Sequence, residues 1–254
     1  MVIIVTIMIM ITPRILFSRT WCEKLTYKKT TMDTRWKHPF SAIVAGPSGC
    51  GKSNFVKNFL RHSRDMCDTE FSRVIWYFDE WQPLYESSEG IEYRDGLPQR
   101  SDYDGDRLPK LLVIDDLMRE ASNNVVVDLF TKVCHHKNLS VFYITQNLFH
   151  QGHGQRDISL NANYIAFFKN PRDRGQIQHL ARQVCPENPR FLQEAYHDAT
   201  AVPHGYLLLD LKQSTPENCR FRTNIFPSDD NRYVYVPRKG IKTRSAHKVP
   251  VVQP

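Results

Sequence analysis

An α/β fold, built on an open, mostly parallel sheet with helices on both faces, is predicted by three features of this sequence. The pattern G-x-x-x-x-G-K-[ST] occurs as Gly46-Pro47-Ser48-Gly49-Cys50-Gly51-Lys52-Ser53, between an apolar run and a segment of helical periodicity. Two further apolar runs, Leu111 to Ile114 and Leu139 to Ile144, end in polar residues. Strands buried on both faces read this way where they emerge from a parallel sheet. The chain has 254 residues, 41% of them hydrophobic, enough to bury one sizeable core as a single domain.

The first strand is Phe40 to Ala45. The glycines after it let successive backbone N–H groups turn toward one point, which suits a phosphate chain. A helix follows over Asn54 to Arg61, with Phe55, Val56, Phe59 and Leu60 on one side. Its N-terminus adds partial positive charge. Lys52 can then reach the β and γ phosphates, and the Ser53 hydroxyl is set to hold Mg²⁺. Gly46, Pro47, Ser48, Gly49, Cys50, Gly51, Lys52 and Ser53 are therefore the candidate ATP-binding residues.

A second strand ends before Asp79. Residues 86–110 carry Asp, Glu, Gly, Arg and Pro with little apolar content, which predicts a mobile loop. A lid, a subunit contact and a disordered insertion are all open for it. Asp115 and Asp116 leave the next strand at its C-terminal edge, where open parallel sheets bind ligands. Asp115 is the candidate Mg²⁺ ligand, through the ion's water shell. Asp116 is the candidate for orienting or deprotonating an attacking water. Strand-end aspartates also serve as turn formers, but the Lys52 motif upstream favours the chemical role, since adjacent carboxylates need a cation.

The strand Leu139 to Ile144 ends in Thr145-Gln146-Asn147. The Gln146 amide both donates and accepts, so it suits a bridge between an attacking water and the γ-phosphate; capping a strand end is its other reading. Residues 171–199 predict two helices broken at Pro186-Glu187-Asn188-Pro189, the first with Ile177, Leu180, Ala181 and Val184 on its apolar face. Tyr206 to Leu211 and Phe221 to Phe226 predict closing strands.

These strand ends, in this order, resemble the FtsK/HerA superfamily of DNA-pumping ATPases. Within it the sequence is most similar to the genome-packaging ATPases of Polinton (Maverick) elements and poxviruses. The resemblance runs from about Trp36 to Pro237. It is carried by Trp36-Lys37-His38-Pro39-Phe40, the phosphate loop, Asp79-Glu80-Trp81-Gln82-Pro83-Leu84-Tyr85, Asp115-Asp116 and Ile144-Thr145-Gln146-Asn147. It continues through Ile158-Ser159-Leu160-Asn161-Ala162, Phe167 to Asp173 and Gly205 to Asp210. The phosphate loop and the paired aspartates belong to P-loop enzymes broadly, and the later blocks are more specific. The resemblance implies a P-loop NTPase of the additional-strand, RecA-like arrangement. It assigns Lys52 and Ser53 to phosphate and Mg²⁺, Asp115 to Mg²⁺, Asp116 to the catalytic carboxylate and Gln146 to γ-phosphate sensing. It also implies a homo-oligomeric ring that translocates double-stranded DNA, with capsid or portal proteins as further partners.

One departure from the superfamily concerns an arginine inserted into the neighbouring subunit's site from the turn before the sensor strand. Here that turn reads Cys134-His135-His136-Lys137-Asn138, without arginine. Arg156, Arg172 and Arg174 lie beyond the sensor strand and can supply the charge. Arg156 and Arg172 are the candidates, with His136 or Lys137 as alternatives. For Arg172, an ion pair with Asp173 at a helix start is the other reading.

The net charge of +7 is uneven. Residues 40–231 hold 21 Lys/Arg against 25 Asp/Glu, a net of −4, so the basicity sits in the two ends. Residues 238–254 read as a flexible cationic tail able to release counterions from DNA, or as a solvated end without a partner. Residues 1–35 read as an N-terminal extension that is not part of the 36–237 ATPase domain. Within it, Met1 to Ile11 is apolar but too short to span a bilayer and lacks a basic segment ahead of it, so neither a membrane helix nor a secretory signal fits. For residues 1–31, an upstream artefact and a short amphipathic or partner-binding arm are both open. Six cysteines without C-x-x-C spacing fit a reducing, intracellular compartment, not secretion. Cys50 reads as an exposed thiol near a helix N-terminus whose oxidation would block the loop. A small-molecule or nucleotide kinase would share the loop but needs an Arg-rich lid and an acceptor pocket. A scaffold that binds ATP without turnover would be marked by loss of Asp116 or Gln146, and both are present.

Overall fold

In the computed structural model, residues 33–83, 85, 90–115, 124–134, 137–149, 154–237 and 246–251 are described. The chain divides into two units, residues 1–30 and 31–254, and every described residue belongs to the second. The apolar run Met1 to Ile11 lies outside the described residues.

Strand β1 (Ser41–Ala45) is fully buried, as its apolar run requires. The phosphate loop turns it into helix α1 (Lys52–Arg61), followed by the single turn α2 (Ser63–Met66) and β2 (Arg73–Phe78). β3 (Ile91–Asp95) and the short α3 (Arg100–Tyr103) come next, then β4 (Lys110–Asp115). α4 (Asn124–Asp128) runs on into a π-helical turn (Leu129–Val133) before β5 (Leu139–Thr145). α5 (Gln155–Asn161) leads to β6 (Tyr164–Phe168). α6 (Gly175–Val184) and α7 (Pro189–Ala199) follow, α7 begun by an Asn188 side-chain cap with Pro189 in its first turn. β7 (Tyr206–Asp210), β8 (Phe221–Thr223), β9 (Arg232–Pro237) and β10 (Ala246–Val251) complete the described chain.

Among the described residues the sheet has ten strands in the order β10-β9-β8-β7-β6-β1-β5-β4-β2-β3. β3, β2, β4, β5, β1 and β6 pair in parallel, and β7 to β10 continue antiparallel from β6. β5 lies between the phosphate-loop strand β1 and the aspartate-bearing β4. That is the additional-strand order the resemblance implies.

Alternation along the buried strands sorts side chains to two faces, and each face carries helices. Val44, Val113 and Ile144 pack with Phe55, Val56 and Phe59 of α1 and with Trp36. Trp36 stacks on Tyr164 at 4.0 Å between ring centres and meets Phe40, Phe59 and Phe142. On the opposite face, Ile43, Leu112, Tyr143 and Phe167 pack with Phe130, Ile158, Leu180 and Leu192.

Two expectations are corrected. Residues 86–110 are not one loop: β3 pairs in parallel with β2, and α3 follows. Its polar sequence hides it because β3 is an edge strand, with only Ile91 and Tyr93 packed inward and Arg73 and Arg94 bracketing Glu92. Asp102 then pins α3, accepting from Tyr77 Oη and Gln99 N and pairing with Arg94. The cationic tail is likewise structured in part. Residues 246–251 form β10 against β9, and Lys248 lies 3.2 Å from Asp198 and over the Tyr233 ring. Residues 238–245 lie outside the described residues. Among the described residues no helix is long and apolar enough to cross a membrane.

Candidate phosphate-binding site

The site forms where three parallel strands end side by side. Ala45 of β1 is level with Thr145 of β5, and Ile144 with Asp115 of β4. Gly46 N donates to the Thr145 carbonyl at 3.2 Å, which fixes the start of the loop against β5. A Cβ at Gly46 would stand 2.7 Å from Phe168 Cβ and 2.8 Å from Cys50 Sγ, so only glycine lets the loop lie this close to β6. Gly51 caps α1 at φ 106°, a conformation that L side chains resist. The loop is thus a cradle with little room for substitution.

Lys52 is nearly buried, and its Nζ donates to the carbonyls of Gly46 (2.8 Å) and Pro47 (3.1 Å). The ammonium is folded over its own loop, where an anionic ligand would meet it. Ser53 Oγ donates to Asp115 Oδ2 at 3.1 Å. Among the described residues no group of three or more His, Cys, Asp and Glu is placed to hold a metal ion. Ser53 and Asp115 fit Mg²⁺ nonetheless, because that ion keeps waters and binds through one or two carboxylates plus substrate phosphates.

A residue given no role from the sequence completes this corner. Tyr85 is buried and its hydroxyl donates to Asp115 Oδ2 at 3.1 Å, the oxygen that Ser53 also meets. Burial and the Asp115 charge push the phenol far above its ordinary range, so it stays a donor. Tyr85 is held by Phe78, stacked at 5.2 Å, and by Trp76 and Tyr93. Its block, Asp79 to Tyr85, stood out in the sequence, but a contact across 30 positions leaves no local signal.

Gln146 is exposed and follows Thr145, whose carbonyl holds Gly46. The loop beyond it is tied down: Leu148 N donates to Gln176 Oε1 and Gln176 Nε2 to Asp173 Oδ2. Asn170 Oδ1 accepts from the backbone of Arg172 and Asp173, and Tyr196 Oη joins Phe168 O to Asn170 N. Asp173, one residue ahead of the N-cap Arg174, accepts from Gly175 N and the Gln176 amide and so ties down the start of α6. Arg156, on α5, and Arg172 are both exposed; among the described residues neither hydrogen-bonds to the loop of residues 46–53. Lys137 pairs with Asp104 at 2.8 Å. Asp116 and His136 lie outside the described residues.

The reading of Cys50 is corrected. Its thiol is half-buried among Gly46 and neighbouring atoms, and burial pushes its pKa up, the nearby Lys52 charge opposing. Its carbonyl accepts from His204 Nδ1 at 3.0 Å, which ties the turn before β7 to the phosphate loop. His204 too was missed, 154 positions away from its partner.

No protein-family model and no curated protein matches this sequence. Among solved structures, the chain is similar to the genome packaging NTPase B204 from Sulfolobus turreted icosahedral virus 2. Its sulfate complex is 12% identical, with a TM-score of 0.47 over 69% of this chain and 93% of that one. The ATP-gammaS complex gives 13% and 0.47 over 69% and 94%, and the AMPPCP complex 12% and 0.46 over 72% and 96%. The likeness is one of fold.

Proposed function

We propose that this chain is an ATP-hydrolysing translocase of double-stranded DNA, one that packages a viral or virus-like genome of the Polinton type. The observation that carries the ATPase reading is the convergence of Lys52, Ser53 and Asp115 at one sheet edge, with Gln146 just past the end of the strand between. Lys52 neutralises the phosphate chain that the loop amides hold. Mg²⁺, held by Ser53 and Asp115, would withdraw charge from the terminal phosphates. Asp116 takes the proton of a water that Gln146 orients toward the γ-phosphorus. The bond to the β-phosphate oxygen breaks, releasing ADP and phosphate.

The DNA reading rests on the motif blocks shared with FtsK/HerA packaging ATPases and on basic segments flanking an acidic core. The surface exposure of Arg156 and Arg172 suits a charge donated to the neighbouring subunit of a ring, not to the chain's own site. The test is complementation. Alone, Arg156→Ala or Arg172→Ala protein should lose about 10³ in turnover, and Asp116→Asn roughly 10² or more. Mixing an arginine variant with Asp116→Asn should restore hydrolysis, because some interfaces then join an intact arginine to an intact carboxylate. Full-rate hydrolysis by a monomer would refute the shared site.

A further inference from the structure

We infer that the turn between α7 and β7, residues 201–205, is one wall of the nucleoside site, and that the base of the nucleotide lies there beside Phe168. The inference rests on the phosphate-site reading above and gives that site its second half.

The sheet order supplies the direction. Ser53 and Asp115, assigned above to the terminal phosphates and their Mg²⁺, lie toward β5 and β4, on one side of β1. A triphosphate with that end against them directs its nucleoside to the other side, over β6 and β7. A cavity of about 200 Å³ opens there, against the phosphate loop. Its walls include Cys50, Phe168, Lys169, Val202, Pro203 and His204. That is an apolar slot with a cationic rim, the composition that takes a flat heteroaromatic ring.

The wall is built, not incidental. His204 Nδ1 donates to the Cys50 carbonyl, so the imidazole is bolted to the phosphate loop, and the His204 backbone sits at φ 58°. Gly205 has no room for a side chain, since a Cβ would lie 2.4 Å from the Ala199 carbonyl oxygen. Gly205 N closes the turn on the Val202 carbonyl. The back wall is equally fixed, because Phe168 is buried and its carbonyl accepts from Tyr196 Oη. A pocket held in shape before the ligand arrives loses little to ordering on binding. Within this frame Val202 is 58% exposed, one of four large hydrophobic residues so placed among the described residues. A base packed on it accounts for that exposure.

Paired ligands test the assignment. Inorganic tripolyphosphate engages the phosphate loop alone, whereas ATP engages loop and wall, and both are titrated calorimetrically with excess Mg²⁺. Val202→Trp fills the slot from an exposed position, so folding is not at stake. It should weaken ATP by about tenfold or more and leave tripolyphosphate within about twofold. Val202→Trp binding ATP like the parent, or losing both ligands equally, would overturn the inference. Photolabelling of the unaltered protein with 8-azido-ATP gives a second readout, expected on residues 168–169 or 201–205; labelling confined to other segments would also overturn it. Failure of the parent to bind tripolyphosphate would instead sink the phosphate-loop reading, and this inference with it.

Discussion

At the scale of single residues, Asp115 is the junction. One of its oxygens meets both Ser53 Oγ and Tyr85 Oη, so the orientation of this carboxylate, the proposed Mg²⁺ ligand, is set by an aromatic residue outside every phosphate motif. Such outer partners tune metal affinity by 10- to 100-fold. Tyr85→Phe should therefore weaken Mn²⁺ binding in the presence of ATP by about tenfold, while ATP affinity in EDTA is unchanged. An unaltered Mn²⁺ titration would show that Tyr85 only fills space. Lys52 and Asp116 should separate binding from chemistry. Lys52→Ala loses ATP affinity, whereas Asp116→Asn keeps it and drops turnover by roughly 10² or more. Cys50 behaves oppositely to the sequence reading. With its pKa raised, less of it is thiolate at pH 8, so iodoacetamide should modify it more slowly than a cysteine in an unstructured peptide. A rate equal to the peptide's would contradict the burial.

Among the elements, the sequence was most legible where one period ruled the whole segment. β1, β4 and β5 are buried end to end, and their apolar runs announce it. α6 and α7 show their apolar stripes, and Pro189 marks the break. β3 and β10 were illegible for a shared reason: each is an edge strand that spends its charges on neighbours distant in sequence. The β3–α3 segment has a measurable acid response. Burial pushes the Asp102 carboxyl up, but Tyr77 Oη, Gln99 N and the Arg94 charge outweigh it and hold its pKa below the ordinary carboxylate value. A depressed carboxylate contributes stability above its unfolded pKa, and that contribution is lost as pH falls through the folded value. Amide exchange over residues 91–103 should thus accelerate below about pH 4, and Asp102→Asn should bring the faster exchange to neutral pH. Exchange independent of pH in both proteins, after correction for intrinsic rates, would argue against the anchor.

For the whole molecule, the charge separation survives the correction of the tail, but its bearers change. Lys248 faces Asp198, so under the proposed function the cations that would meet DNA after β9 are Arg238, Lys239, Lys242 and Arg244. Replacing these four by Gln keeps β10 and should flatten the salt slope of DNA affinity by about three to four units; an unchanged slope would move the DNA contact elsewhere. The candidate phosphate site was readable as a candidate because its residues are contiguous or sit at strand ends. The parts joined by folding alone, Tyr85 to Asp115 and His204 to Cys50, were not. The proposed function stands on ATP hydrolysis at the Lys52 loop being coupled to double-stranded DNA. Its most direct test is ATP turnover by the full chain, with and without double-stranded DNA of unrelated sequences, beside Lys52→Ala. Turnover should rise severalfold with any duplex and vanish in the variant; turnover indifferent to DNA, or undiminished in Lys52→Ala, would refute the coupling.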